Sequence, residues 1–144
     1  MTGEARAPRL RGLYAITPEE PDTRKLLDKV AAAIAGGAAA VQYRAKKLDE
    51  DVRLAQAVRL AEICRAAGVS LIVNDSAQLA RAAGADGIHL GRDDGEVAQA
   101  RRLLGRSLVG VSCYDDSMRG PYIIGSSLTK FFRVSFKRIF GIFF

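Results

Sequence analysis

The sequence predicts a parallel α/β fold, on three observations. Short apolar runs alternate with longer stretches whose apolar residues recur at helical spacing. No hairpin signal joins one apolar run to the next, so right-handed βα units and a parallel sheet follow. Four of the runs end abruptly in polar or charged groups: Val41-Gln42-Tyr43-Arg44-Ala45-Lys46, Val73-Asn74-Asp75, Gly87-Ile88-His89-Leu90-Gly91-Arg92-Asp93-Asp94 and Leu108-Val109-Gly110-Val111-Ser112. Strands that deliver polar groups at their C-terminal ends are the layout of an active site in such a fold.

Taken in order, Met1 to Arg11 is polar, carries Pro8 and reads as a mobile lead-in. Leu13-Tyr14-Ala15-Ile16 is a first strand, ended by Thr17-Pro18. Glu19 to Asp22 is a loop and Thr23 a candidate helix cap. Leu26, Leu27, Val30, Ala33 and Ile34 then mark a helix that Gly36-Gly37 stops. Ala38 to Tyr43 is the second strand, and a long helix opens at Asp49 or Glu50 and closes near Gly68. Val69 to Val73 is the third strand. A short helix runs from Ser76 to Ala83, capped by Ser76 or Asp75 and ended by Gly84. Asp86 to Leu90 is the fourth strand, Val97 to Leu104 a helix, and Leu108 to Val111 the fifth strand.

No GxGxxG follows the first strand and no GxxxxGK[ST] occurs, which counts against a dinucleotide fold or a P-loop enzyme. A (β/α)8 TIM barrel remains, incomplete, because a full barrel takes roughly 200 residues or more and this chain supplies about five βα units before its character changes. Every alanine lies at or before Ala100, and all six phenylalanines fall in the last 14 residues. The switch lies between Tyr114 and Arg119, as a frameshift, fusion or misplaced gene end would produce. The expected organisation is a lead-in over 1–11, a partial barrel over 12–115 and an atypical basic, Phe-rich tail over 116–144. On a helix Phe132, Phe136, Phe140 and Phe143 would share one face, the pattern of a membrane anchor. The plainer reading, sequence without its native pairing partners, is preferred. Such an end is also an aggregation liability.

The net charge of +6 suggests nucleic acid, but its distribution does not. Arg119, Lys130, Arg133, Lys137 and Arg138 supply +5 without an acidic residue between them, so residues 1–118 carry only +1. Neither a nucleic-acid nor a membrane partner is expected. Two cysteines, Cys64 and Cys113, make no disulfide framework. No apolar run reaches the roughly 18 residues of a membrane span, and the cytoplasm is the expected location.

Gln42, Arg44 and Lys46 alternate, so on an extended segment they point one way. Such a group suits a phosphate or diphosphate; the alternative is a solvated strand end. Asp75 is a candidate Mg2+ ligand, Mg2+ preferring one or two carboxylates plus substrate oxygens; the alternative is a helix cap. Asp93-Asp94 offers a second carboxylate. His89 lies within the fourth strand and is more simply a structural histidine than a base. Ser112 could donate to a phosphate, with no histidine–acid pair to activate it. Cys113 has no charged partner in sequence. No residue is assigned as catalytic.

At these residues the sequence resembles the thiamine-phosphate synthase family. The matching pieces are Leu13-Tyr14-Ala15-Ile16-Thr17, Gln42-Tyr43-Arg44-Ala45-Lys46, Ile72-Val73-Asn74-Asp75, Gly84-Ala85-Asp86-Gly87-Ile88-His89-Leu90-Gly91, Asp94 and Gly110-Val111-Ser112, in the family's order and spacing. The resemblance implies a transferase on a βα barrel that joins a hydroxymethylpyrimidine diphosphate to a thiazole phosphate, releasing diphosphate with the help of Mg2+. It implies that Gln42, Arg44, Lys46 and Asn74 contact the pyrimidine diphosphate, that Asp75 and Asp94 hold Mg2+, and that Ser112 touches the diphosphate or its product. Arg92 departs from the family's usual glutamine. The three βα units with which the family continues have only compressed echoes here, in Tyr122-Ile123-Ile124-Gly125 and Thr129-Lys130. The chain is therefore expected to be C-terminally truncated or frameshifted, inactive as written, and prone to self-association through an open barrel. Two alternatives are the related thiazole tautomerase and a non-catalytic fragment that binds a partner or membrane through its tail. The Asn74-Asp75 and Asp94 set favours the synthase.

Overall fold

The computed structural model describes residues 12–91, 94–112, 131–134 and 141–143. The lead-in over 1–11, Arg92, Asp93, Cys113 and the tail positions outside the last two ranges, Thr129 and Lys130 among them, lie outside the described residues. The elements are β1 (Leu13–Ile16), α1 (Thr23–Ala35), β2 (Ala38–Tyr43), α2 (Glu50–Ala67), β3 (Ser70–Asn74), α3 (Ala77–Ala83), β4 (Gly87–Leu90), α4 (Asp94–Leu104), β5 (Leu108–Ser112), β6 (Phe131–Val134) and β7 (Gly141–Phe143).

Strands β1 to β5 lie side by side in chain order and every pairing is parallel. A doubly wound sheet reverses direction at a switch point, whereas these five strands advance one way from β1 to β5. Right-handed crossovers that all advance the same way put their helices on one face, which is the winding of a (β/α) barrel. The packing agrees. Leu26 and Val30 of α1, and Ala57, Leu60, Ala61 and Cys64 of α2, close against Val41, Tyr43 and Leu71. Ala77 of α3 and Ala100 of α4 close against Ile88, Leu90 and Val109. The other face holds a cluster of Tyr14, Ala40, Ile72 and Leu108 with Ile16, all strand residues among the described ones, and is the face that lines a barrel interior. On α2 the buried residues Ala57, Leu60, Ala61 and Cys64 form a single stripe, and burying Leu60 contributes about 2 kcal/mol. Burial pushes the Cys64 thiol up to about 11, so it is an inert core residue.

At Gly87 the sheet leaves no room for a side chain. A Cβ built there would sit 2.4 Å from the Leu108 carbonyl oxygen and 2.6 Å from Leu108 Cβ. Beside it, Asp86 laces the start of the sheet: its Oδ2 accepts from Leu71 N at 2.8 Å, and its carbonyl accepts from Leu108 N at 2.9 Å.

The structure corrects several expectations. Asp22, not Thr23, caps α1, its carboxylate accepting from Arg24 N and Lys25 N. Helix α4 starts at Asp94 rather than Val97, so Asp94 opens a helix instead of lying in an acidic loop. The stretches 131–134 and 141–143 are extended, which removes the single helical face that would join Phe132 to Phe143. They also cover the edges expected to be open: β6 pairs with β5 and β7 with β1, both parallel. Backbone groups that β1 and β5 would otherwise expose find partners there.

Candidate anion and metal site at the strand ends

Parallel pairing puts partnered residues on the same face, so the register reveals what the interior face presents at its C-terminal rim. Ile16 pairs with Gln42, Gln42 with Ile72, Asn74 with His89, and His89 with Gly110. Gln42, Asn74 and His89 thus share the face that also carries Tyr14 and Ile72. Ser112 ends β5 just beyond Gly110, and its backbone pairs with Val134.

Gln42 is buried, and its Nε2 donates to Tyr14 Oη at 3.0 Å. Burial pushes the Tyr14 phenol up to about 12, with the Gln42 hydrogen bond pulling the other way. The expectation that Gln42, Arg44 and Lys46 point one way from a single extended segment is corrected. Strand β2 ends at Tyr43, and Arg44 and Lys46 stand exposed in the loop beyond it.

That loop is fastened by groups that local sequence does not flag. Thr17 N donates to Gln42 O at 2.9 Å, and Thr17 Oγ1 accepts from Arg44 N at 3.0 Å. The Glu19 carboxylate accepts from Lys46 N at 2.9 Å, Lys47 N at 2.7 Å and Leu48 N at 3.2 Å. Those bonds, that from Lys46 foremost, hold the Glu19 carboxyl below its ordinary value. Gln56 of α2 is wholly buried; its Oε1 accepts from Tyr43 Oη at 2.7 Å and its Nε2 donates to Glu20 O at 2.8 Å. The partners lie 13 to 36 residues apart, too far for any helical or strand period to signal them.

The loop brings Lys46 to the end of β3. Lys46 Nζ stands 3.6 Å from Asp75 Oδ2, and Asn74 Nδ2 donates to that same oxygen at 2.9 Å. Asp75 is not the cap of α3; Ser76 is, its Oγ accepting from Leu79 N at 3.1 Å. The Asp75 carboxylate is thereby left to other work. Its backbone has a φ of 64°, in the left-handed region that non-glycine residues seldom occupy, and its N–H donates to His89 O at 2.9 Å. Backbone strain of this kind collects at functional sites. His89 itself is buried, and burial lowers its imidazole below the ordinary 6.5 while the Asp75 carboxylate opposes the shift, so it is neutral near pH 7.

The donor chemistry fits Mg2+. Both described contacts of Asp75 go to Oδ2, leaving Oδ1 as a hard anionic donor on a side chain 55% exposed. Among the described residues no group of three or more His, Cys, Asp or Glu forms a metal cluster. Mg2+ asks for less, one or two carboxylates with water and substrate oxygens completing the shell. The backbone places Asp94 at the head of α4, directly after the loop that leaves β4. Among the described residues, no helix is long and apolar enough to cross a membrane.

A family model described as thiamine monophosphate synthase matches residues 13–119. The chain is 50% identical over 127 residues to a thiamine-phosphate synthase of Chromobacterium violaceum, covering 86% of this chain and 61% of the relative. It is 54% identical over 110 residues to one of Methylococcus capsulatus, covering 76% of this chain and 49% of that relative. A thiamine phosphate pyrophosphorylase from Pyrococcus furiosus shares the fold with a TM-score of 0.63 at 29% identity, over 71% of this chain and 50% of that structure. The chain thus spans about half to three-fifths of the proteins it matches. The family match begins at the first residue of β1, runs past the end of β5 and takes in the strand ends that gather Lys46, Asn74 and Asp75, and the chain belongs to the thiamine monophosphate synthase family.

Proposed function

We propose that the chain serves thiamine-phosphate synthesis, its strand ends holding the diphosphate of a hydroxymethylpyrimidine diphosphate together with Mg2+. One observation carries this: a lysine ammonium from one βα unit and an asparagine amide from the next converge on a carboxylate oxygen, Asp75 Oδ2. That is an arrangement for a metal-bound anion. The names of its relatives supply the product, thiamine phosphate, and the two substrates are those the resemblance implies. In the reaction the bond between the pyrimidine methylene carbon and the diphosphate oxygen breaks, that oxygen keeping the electron pair. The thiazole nitrogen then bonds to the same carbon. Mg2+, when bound, would supply Lewis-acid stabilisation of the departing diphosphate.

Asp75 and Asp94 would hold the ion. Lys46 and Arg44 would carry positive charge toward the diphosphate, and Asn74 would orient Asp75 while Gln42, braced by Tyr14, faces the pyrimidine. Ser112 would donate to the diphosphate. Preorganised cations are worth most where negative charge develops.

The test is calorimetric binding of inorganic diphosphate with and without Mg2+. Binding should require Mg2+ and weaken about tenfold in Lys46→Ala, the scale of one hydrogen bond to a charged group. Asp75→Gly and Asp75→Ala should both abolish the Mg2+-dependent binding of diphosphate. The glycine variant should be the more stable of the two by about 1 kcal/mol, because alanine is strained at this φ. Diphosphate binding that is absent or indifferent to Mg2+ would refute the reading. Formation of thiamine phosphate from the two substrates tests the complete reaction.

A further inference from the structure

Glu19 is exposed at the start of the loop after β1, yet it receives three consecutive backbone N–H groups from the loop after β2. Lys46 N binds Oε2 at 2.9 Å, while Lys47 N and Leu48 N bind Oε1 at 2.7 and 3.2 Å. Consecutive amides that converge on one anion form a nest, here filled by a carboxylate of the same chain. The first of those amides belongs to Lys46, whose ammonium reaches Asp75. Apart from these bonds and the one from Arg44 N to Thr17 Oγ1, burial does little to hold the loop: Arg44, Lys46 and Lys47 are exposed, and Ala45 and Leu48 are only half-buried.

We propose that Glu19 is a positioning residue for the diphosphate site, clamping residues 46–48 so that the Lys46 ammonium stands beside Asp75. The inference rests on the reading that Lys46 faces a diphosphate. It is separable from that reading because the clamp and the charge of Glu19 act in opposite senses. As a bare negative charge near an anion site, Glu19 would weaken diphosphate binding, and its removal would strengthen it. As a clamp, its removal frees the Lys46 backbone, spreads the ammonium over many positions and weakens binding. The sign of the change therefore separates the two roles.

The experiment uses the whole chain with inorganic diphosphate and Mg2+ as the probe. Wild type, Glu19→Gln, Glu19→Ala, Lys46→Ala and the Glu19→Ala/Lys46→Ala double variant are compared by calorimetry, and amide hydrogen exchange is followed at residues 46–48. Glutamine offers one acceptor oxygen and an NH2 where glutamate offers two acceptors, so it cannot serve all three amides as the carboxylate does. The expected result is faster exchange at residues 46–48 and about a tenfold loss of affinity in Glu19→Ala, with a smaller loss in Glu19→Gln. In the Lys46→Ala background, Glu19→Ala should cost nothing further, since the group it positions is gone. Unchanged or tighter binding in Glu19→Ala overturns the proposal, as does a full further loss in the Lys46→Ala background. Wild type that binds no diphosphate overturns the site reading itself, and this inference with it.

Discussion

Gln56 is a polar side chain with no exposure at all, and a double-mutant cycle through it tests whether the buried network that braces the end of β2 is as drawn. Its Oε1 accepts from Tyr43 Oη at 2.7 Å; its Nε2 donates to Glu20 O at 2.8 Å, with Thr23 Oγ1 at 3.4 Å. Methionine keeps the length and flexibility of the side chain and removes both polar ends. Gln56→Met strands the Tyr43 hydroxyl, which is 1% exposed, and the Glu20 carbonyl. At about 1–3 kcal/mol for each stranded group, partly offset by easier burial of an apolar side chain, the variant should lose about 3 kcal/mol. Tyr43→Phe strands only Gln56 Oε1 and should lose about 1–2 kcal/mol. In the double variant the stranded hydroxyl and the stranded amide oxygen are both absent, so the two losses should fall short of adding by about 1–2 kcal/mol. Urea unfolding with matched m-values measures all four corners. Additivity to within about 0.5 kcal/mol would refute the network, because only uncoupled sites add that closely.

Gly87→Ala should destabilise the sheet by about 1–3 kcal/mol, because the new Cβ meets backbone and Cβ atoms of Leu108 rather than a flexible side-chain end; an unchanged urea midpoint would show that β4 and β5 are spaced otherwise. Alkaline unfolding supplies a third check. Tyr14 and Tyr43 are both raised from 10.0 to about 12, chiefly by burial, so the folded state favours the protonated phenols. Their contribution is complete below the unfolded value near 10 and is lost as pH climbs toward about 12. Stability measured across that window should fall, and Tyr43→Phe should flatten the fall; a slope unaffected by the substitution would count against burial of the Tyr43 hydroxyl.

The elements themselves were largely legible. Strands β1 and β2 and helix α2 begin and end where periodicity, Pro18, Gly36 and Gly68 put them, because those signals act within a few residues of one another. Ends of β3, β4 and β5 shift by one residue; the differences at Asp22 and Asp94 turn on side-chain capping and on where a helix first closes its hydrogen bonds, both beyond the reach of apolar spacing. The extended stretches at 131–134 and 141–143 were not foreseen, since a strand added to an existing edge is specified by the edge it joins.

For the site, sequence alone determined which residues stand at the strand ends. Parallel winding sends every strand's C-terminal end to the same rim, so the ends that carry Gln42, Asn74 and Asp75 and the start of α4 lie on one side of the sheet. What only the tertiary structure decided is how they are held. It gave the helix cap to Ser76 and left Asp75 to Lys46 and Asn74; it closed the loop of Lys46 on Glu19 and braced Gln42 with Tyr14. A carboxylate next to a helix start can serve as cap or ligand with the same neighbours in sequence. The choice falls to Lys46, delivered from the preceding βα unit, and to Glu19, which lies 27 and 28 residues before the amides it holds; their proximity is a property of the packed chain, not of any stretch of it.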